Sequence, residues 1–354
     1  MNYARAEAKQ AARVSFKGLW AAMTTPFTDS GDVDETALVS DIEVLTRDLE
    51  IDGVFCTGVM GEFWALTHGE RRRALEVVVA STRGRCPVLA HTGHHSARET
   101  IELTRYATEV GADFAVVINP VYPGGSDEGL RRWFLQVLEA VDIGVWLFDT
   151  SFSGVSLPLD LIDELAGVEN VCGIKVGHGH ARYLAILERV GDRILVCEPS
   201  EKEWLSNMRD HGQKVFMSSA APFLMQTGER RPMLEYTKLA LAGDFDRAVA
   251  VYTELQPIRD LTAKWIQGPW ERERVHPVPA IKAWSGLLGM SGGPVRAPLT
   301  ALGPVEQREL AADLVSVGLI ASEEPGARSR HDEGGDDASP GEATPALKRS
   351  DPAP

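Results

Sequence analysis

Eight short apolar runs, spaced by amphipathic stretches, constrain this chain more than any other feature. The runs fall at residues 19–26, 53–57, 88–92, 114–119, 143–149, 172–176, 193–197 and 214–218. Between them, helical periodicity is read at 34–49, 69–82, 97–110, 128–141, 159–166, 181–190 and 201–211, most of these opening on Asp, Ser or Thr caps. Strands that are apolar throughout, rather than on alternate positions, belong to a parallel sheet covered by helices on both faces. Eight such units in about 200 residues predict a (β/α)8 TIM barrel, with a doubly wound open sheet as the weaker alternative.

Beyond the eighth run, helical patterns continue through 231–261 and again near 306–317, which predicts a C-terminal helical extension. The chain therefore divides into an N-terminal arm (1–15), a barrel (16–225), a helical region (226–320) and a tail (321–354). The tail is rich in Gly, Pro, Ser, Asp and Glu; it cannot bury a core and is expected to be disordered.

Acidic residues number 51 against 36 basic ones, a formal charge of −15 that argues against nucleic acid or an anionic membrane surface as partner. Cys56, Cys86, Cys172 and Cys197 are far apart and form no C-x-x-C pair, so they are expected as buried free thiols rather than a zinc site or disulfide framework. No apolar run approaches the ~18 residues of a membrane span, and the first residues are polar; a cytoplasmic protein is expected.

In a barrel of this kind the functional groups stand at the C-terminal ends of the strands. That filter selects Thr24, Thr25, the 57–62 loop, His91, Thr92, His94, His95, Asn119, Tyr122, Phe148, Asp149, Ser151, Lys175, His178, His180, Glu198, Ser218 and Ser219. Lys175 stands out, because an ammonium on an apolar strand is costly unless it is used. Desolvation lowers its pKa and leaves a free amine able to attack a carbonyl and form a Schiff base.

Six segments, in order and in register over residues 16–320, resemble the dihydrodipicolinate synthase and N-acetylneuraminate lyase family. They are Leu-Trp-Ala-Ala-Met-Thr-Thr-Pro-Phe (19–27), Gly-Asp-Val-Asp (31–34), Gly-Val-Met-Gly-Glu-Phe-Trp-Ala-Leu-Thr (58–67), Asn-Pro-Val-Tyr-Pro (119–123), Gly-Ile-Lys-Val-Gly (173–177) and His-Pro-Val-Pro-Ala-Ile-Lys (276–282). The resemblance implies a class I aldolase-type barrel, commonly a homotetramer with a dimer as the smaller alternative, in which Lys175 forms an imine with a 2-oxo acid. It implies no cofactor. It also matches Tyr122 to a tyrosine that reaches a neighbouring subunit's site.

The departures from the family pattern are specific. Where the family carries two threonines, this chain has Val59 and Met60, and the position of the proton-relaying tyrosine holds Leu147 or Phe148. The arginine that follows in dihydrodipicolinate synthases is replaced around Phe152 and Ser153. Proton transfer is therefore expected from other groups, with Asp149, His178, His180, Glu198 and the His91, His94, His95 group as candidates. Thr25, Ser218 and backbone amides of 58–61 are candidates for holding a carboxylate. Val59, Met60, Phe63, Trp64, Trp146 and Phe148 predict an apolar mouth for a bulky carbonyl substrate. The His spacing fits no metal-ligand motif, and lysine chemistry needs no metal. A Schiff-base aldolase or hydratase-aldolase is the leading reading; a dehydratase of a 2-oxo-3-deoxy sugar acid and a non-catalytic carbonyl-binding barrel are the alternatives.

Overall fold

The computed structural model describes residues 2–122, 125–217 and 219–321. Ser218 and nearly all of the expected tail lie outside the described residues. Eight strands form: β1 (Gly18–Ala22), β2 (Gly53–Cys56), β3 (Val88–His91), β4 (Phe114–Ile118), β5 (Gly144–Thr150), β6 (Val171–Gly177), β7 (Leu195–Cys197) and β8 (Val215–Met217). They pair in parallel in the order β7-β6-β5-β4-β3-β2-β1-β8, giving a nearly closed (β/α)8 barrel. Each strand lies within the expected run or within a residue or two of it.

Alternation along each strand separates two layers of core. On β2, Val54 and Cys56 pack outward with Leu38, Leu75 and Val78 of the covering helices, whereas Phe55 turns inward to join Trp20, Leu89 and Phe148. The helices start where the caps predict. Thr67 and Glu70 form a reciprocal capping box before His68–Thr82, and the Ser96 hydroxyl accepts the Glu99 N–H before Ala97–Val110.

The floor of the barrel is solid. Trp20 pairs in register with Gly53, and Trp146 with Gly173. A Cβ on either glycine would come within 2.3 Å of Trp20 or 2.8 Å of Trp146, so only glycine lets each indole lie across the neighbouring strand. Phe16 fits between the two indoles, at 4.2 Å from Trp20 and 4.5 Å from Trp146. It follows a helix, Ala8–Ser15, that buries Ala8 and Ala12 one turn apart. The segment from residue 2 to 15, helical over 5–15, is docked under the barrel and tied by Tyr3, whose hydroxyl donates to the Asp113 carbonyl at 2.6 Å and accepts the Gly144 N–H at 3.0 Å.

Among the described residues no ladder joins β7 to β8, and side chains bridge that seam instead. The Met217 N–H donates to Cys197 Sγ at 3.3 Å, and Gln213 Nε2 donates to the carbonyls of Glu198 (3.1 Å) and Val215 (2.9 Å). All four cysteines are buried and free.

The helix Pro232–Leu241 packs against the outside of β1. Trp204 Nε1 donates to Thr237 Oγ1 at 2.9 Å, and the Tyr236 hydroxyl donates to the buried Glu201 at 2.8 Å. Arg259 grips the same carboxylate with two bonds of 2.7 and 2.9 Å, fixing the following helices to the barrel wall. No helix among the described residues is long and apolar enough to cross a membrane.

Candidate active site

β6 alternates cleanly: Ile174 and Val176 join the outer layer, and Lys175 between them turns inward. The lysine is 5 % exposed. Its Nζ lies 4.3 Å from the ring centre of Phe148, its register partner on β5, and 5.1 Å from that of Phe55. Ring faces ease the presence of a cation but do not replace water. Burial consequently pulls the ammonium down to about 7, and the amine is available near neutrality.

This has a pH consequence. Only the neutral amine attacks a carbonyl, so reductive trapping of a 2-oxo acid is expected to rise about tenfold per pH unit below 7 and to level off above it. Initial trapping rates over roughly pH 5.5 to 9 check this; a rate still climbing steadily at the alkaline end would mean the amine is not desolvated.

Of the two candidates for the lost tyrosine position, Phe148 faces Lys175, while Leu147 packs outward. The 57–62 loop sits above them. Thr57 and Glu62 both adopt left-handed backbone, with φ of 51° and 53°, and Val59 is buried against the inner aromatic cluster with Met60 and Phe63 at its edge. Thr25 is near, but its hydroxyl donates to the Gly61 carbonyl at 2.8 Å and so braces the loop.

Glu62, fully buried, holds that loop from the other side. Its Oε1 lies 2.6 Å from Lys282 Nζ, its Oε2 accepts the Arg296 N–H at 2.9 Å, and Lys282 also donates to the Pro294 carbonyl at 2.7 Å. The sequence offered no sign of this pair, since 220 residues separate its members. Tethering gives a residue in strained backbone reason to stay there.

Other expected site residues are placed elsewhere. Asp149 is the clearest correction: being next to Phe148, it points through the wall to the outside, where it accepts from the Leu157 N–H and Arg182 Nε, both at 2.9 Å. His178 is drawn to it, with Nε2 3.4 Å from Asp149 Oδ1, so neither reaches the Lys175 side of the wall. Glu198 is buried and engaged, its Oε2 2.7 Å from His180 Nδ1 and 3.0 Å from Asn207 Nδ2. Tyr122 is 77 % exposed, its backbone N–H directed to His95 Nδ1. Trp146, expected at the mouth, fills the floor because it stands two residues before Phe148 and so one layer lower.

The mouth is aromatic all the same, partly through residues of the C-terminal region. Trp64 lies 4.8 Å from His276; Phe152 lies 4.4 Å from Trp270 and 5.3 Å from His276. Burial holds His276 down at about 4, hence neutral, with Nδ1 accepting from the Val278 N–H.

The barrel that holds this lysine has clear counterparts among known proteins. Residues 15–316 match the dihydrodipicolinate synthetase family. The chain belongs to that family. A relative in Pelobacter propionicus, named 4-hydroxy-tetrahydrodipicolinate synthase, is 31 % identical over 308 residues, covering 86 % of this chain and all of the relative. One of the same name in Methanothrix thermoacetophila is 30 % identical over 297 residues, covering 83 % and 95 %. Among solved structures, the dihydrodipicolinate synthase of Aquifex aeolicus is similar at TM-score 0.74 and 31 % identity, covering 86 % of this chain and 99 % of its own. YagE, a prophage protein of this family from E. coli K12 solved in complex with pyruvate, matches at TM-score 0.74 and 27 % identity with the same coverage. Within the dihydrodipicolinate synthetase family, then, this chain has the barrel, and around Lys175 it places aromatic side chains.

Proposed function

We propose that this chain is a Schiff-base-forming lyase, an aldolase or hydratase-aldolase, that acts through Lys175 on a 2-oxo acid or related carbonyl compound carrying a bulky, apolar portion. The observation that carries this reading is the desolvated amine of Lys175 set over Phe148 and Phe55 at the catalytic end of β6. The amine adds to the carbonyl carbon to give a carbinolamine, which loses water to leave a protonated imine. That imine draws electrons from the adjacent carbon–carbon bond, so the bond can break, form, or be preceded by addition of water. The pyruvate bound in YagE favours a 2-oxo acid here. The synthase activity named for the relatives is not the one we assign, because Phe148 has no hydroxyl to relay a proton and Phe152 and Ser153 supply no guanidinium. The apolar side chains at the mouth favour a substrate larger and less polar than a sugar acid. Family membership also favours a homotetramer, or a dimer at least, and a cytoplasmic setting.

Incubation with pyruvate and a panel of aliphatic and aromatic 2-oxo acids, followed by borohydride reduction and intact-mass measurement, tests the reading. One covalent adduct per chain, mapped to Lys175, is the expected result. No adduct with any ketone or aldehyde would leave the non-catalytic barrel standing in its place. Product analysis then separates carbon–carbon cleavage from simple loss of water, the latter being the outcome a sugar-acid dehydratase would give.

A further inference from the structure

Arg71 and His91 lie deep in the same end of the barrel with no part in the chemistry so far. Arg71 rises from the helix His68–Thr82 and is 4 % exposed. Its guanidinium donates to the carbonyls of Gly93 (3.0 Å) and His91 (2.8 Å) and lies 3.2 Å from His91 Nδ1. Every one of these acceptors is neutral, Nε finds no acceptor, and among the described residues no carboxylate pairs with this cation. A buried charge without a counter-charge is costly, and burial pulls Arg71 down to about 10. Such a site is built to receive an anion.

His91 carries that charge toward the interior. A guanidinium can only donate, so Nδ1 accepts and the ring proton sits on Nε2. Ala90 belongs to the outer layer, which turns His91, 1 % exposed, into the barrel. There its ring lies 4.5 Å from Phe63 and 6.4 Å from Phe55, the same Phe55 that adjoins Lys175. Nε2 is buried and has no hydrogen-bond partner among the described residues. Gly93 packs closely beside it: a Cβ at that position would stand 2.8 Å from Ile118 Cγ2 and 3.2 Å from Nε2, so only glycine lets the backbone pass the imidazole there. Burial first, then Arg71 and Lys175, oppose a positive imidazole and outweigh the contact with the Thr57 backbone that favours one, so the ring stays neutral and serves as a donor rather than a base.

We propose that His91 Nε2–H, backed by Arg71, anchors the carboxylate of the 2-oxo acid, replacing the threonine hydroxyl lost at the Val59–Met60 positions. No proton changes hands. The imidazole donates one hydrogen bond to a carboxylate oxygen, and Arg71, a positioning residue, fixes the tautomer and supplies the compensating charge. The inference rests on the 2-oxo acid of the reading above.

Its test compares pyruvate with acetone, a ketone of similar size without the carboxylate. Borohydride trapping is titrated with each in the parent protein and in His91→Leu and His91→Gln, both checked for folding by thermal unfolding. In His91→Leu the half-saturating pyruvate concentration is expected to rise roughly ten- to a hundredfold, as for a lost bond to a charged group, while that of acetone holds. His91→Gln, which retains an N–H, recovers part of the loss. Equal shifts for both ketones, or none, overturn the anchor. If the parent traps neither ketone, it is the Schiff-base reading that fails. The anchor is then judged by calorimetric titration of pyruvate into Lys175→Ala with and without His91→Leu, where binding that His91→Leu weakens about tenfold supports it and equal or absent binding overturns it.

Discussion

Lys175→Ala is expected to lower kcat/KM by on the order of a thousandfold or more on whichever substrate the trapping panel identifies. The covalent adduct should vanish with it. Stability should move the other way or not at all, because the substitution removes an amine that the fold keeps dry and pulled down to about 7. Steady-state kinetics and thermal unfolding of the same preparation read both effects. Activity within tenfold of the parent would end the case for a covalent intermediate, whereas lost activity with a sharply lower Tm would show the lysine to be structural instead.

Lys282→Met should be the most damaging single change to the fold. It leaves the apolar stem of the side chain but strands the carboxylate of Glu62, which is fully buried and lies 2.6 Å from the missing ammonium. Breaking one side of a buried pair costs about 3–5 kcal/mol, seen as a fall in Tm on the order of ten degrees. Arg296 would still hold the other oxygen through its backbone. The double variant Glu62→Gln/Lys282→Met, with no stranded charge, is expected to regain much of that loss. Were Lys282→Met to unfold at the parent temperature, the pair would not be the clamp of the 57–62 loop.

The barrel was legible because a parallel strand must be apolar on both faces and a covering helix on only one, and the two patterns differ over a handful of residues. Lys175 was legible for the same reason, as a charge where that pattern forbids one. Side-chain direction was harder. Asp149 and Phe148 are adjacent in sequence and stand on opposite sides of the wall, which only the pairing of Phe148 with Lys175 decides. Trp146 looked like part of the mouth until its depth in the barrel was known. The pairs Glu62–Lys282 and Arg71–His91 were not legible, since each depends on chain segments brought together only by the folded barrel. For His91 one signal existed: it is the polar end of an otherwise apolar strand, two residues on from the inward-facing Leu89.

The floor plugged by Phe16, Trp20 and Trp146 closes the N-terminal end of the barrel, so traffic to Lys175 shares one doorway. For the lyase proposed above, the fragment linked to Lys175 would then occupy the deep position and the fragment cut from it would lie nearer the aromatic rim. The free fragment would depart first and the tethered one last, and a surplus of the first product would stall such an enzyme with its lysine still occupied.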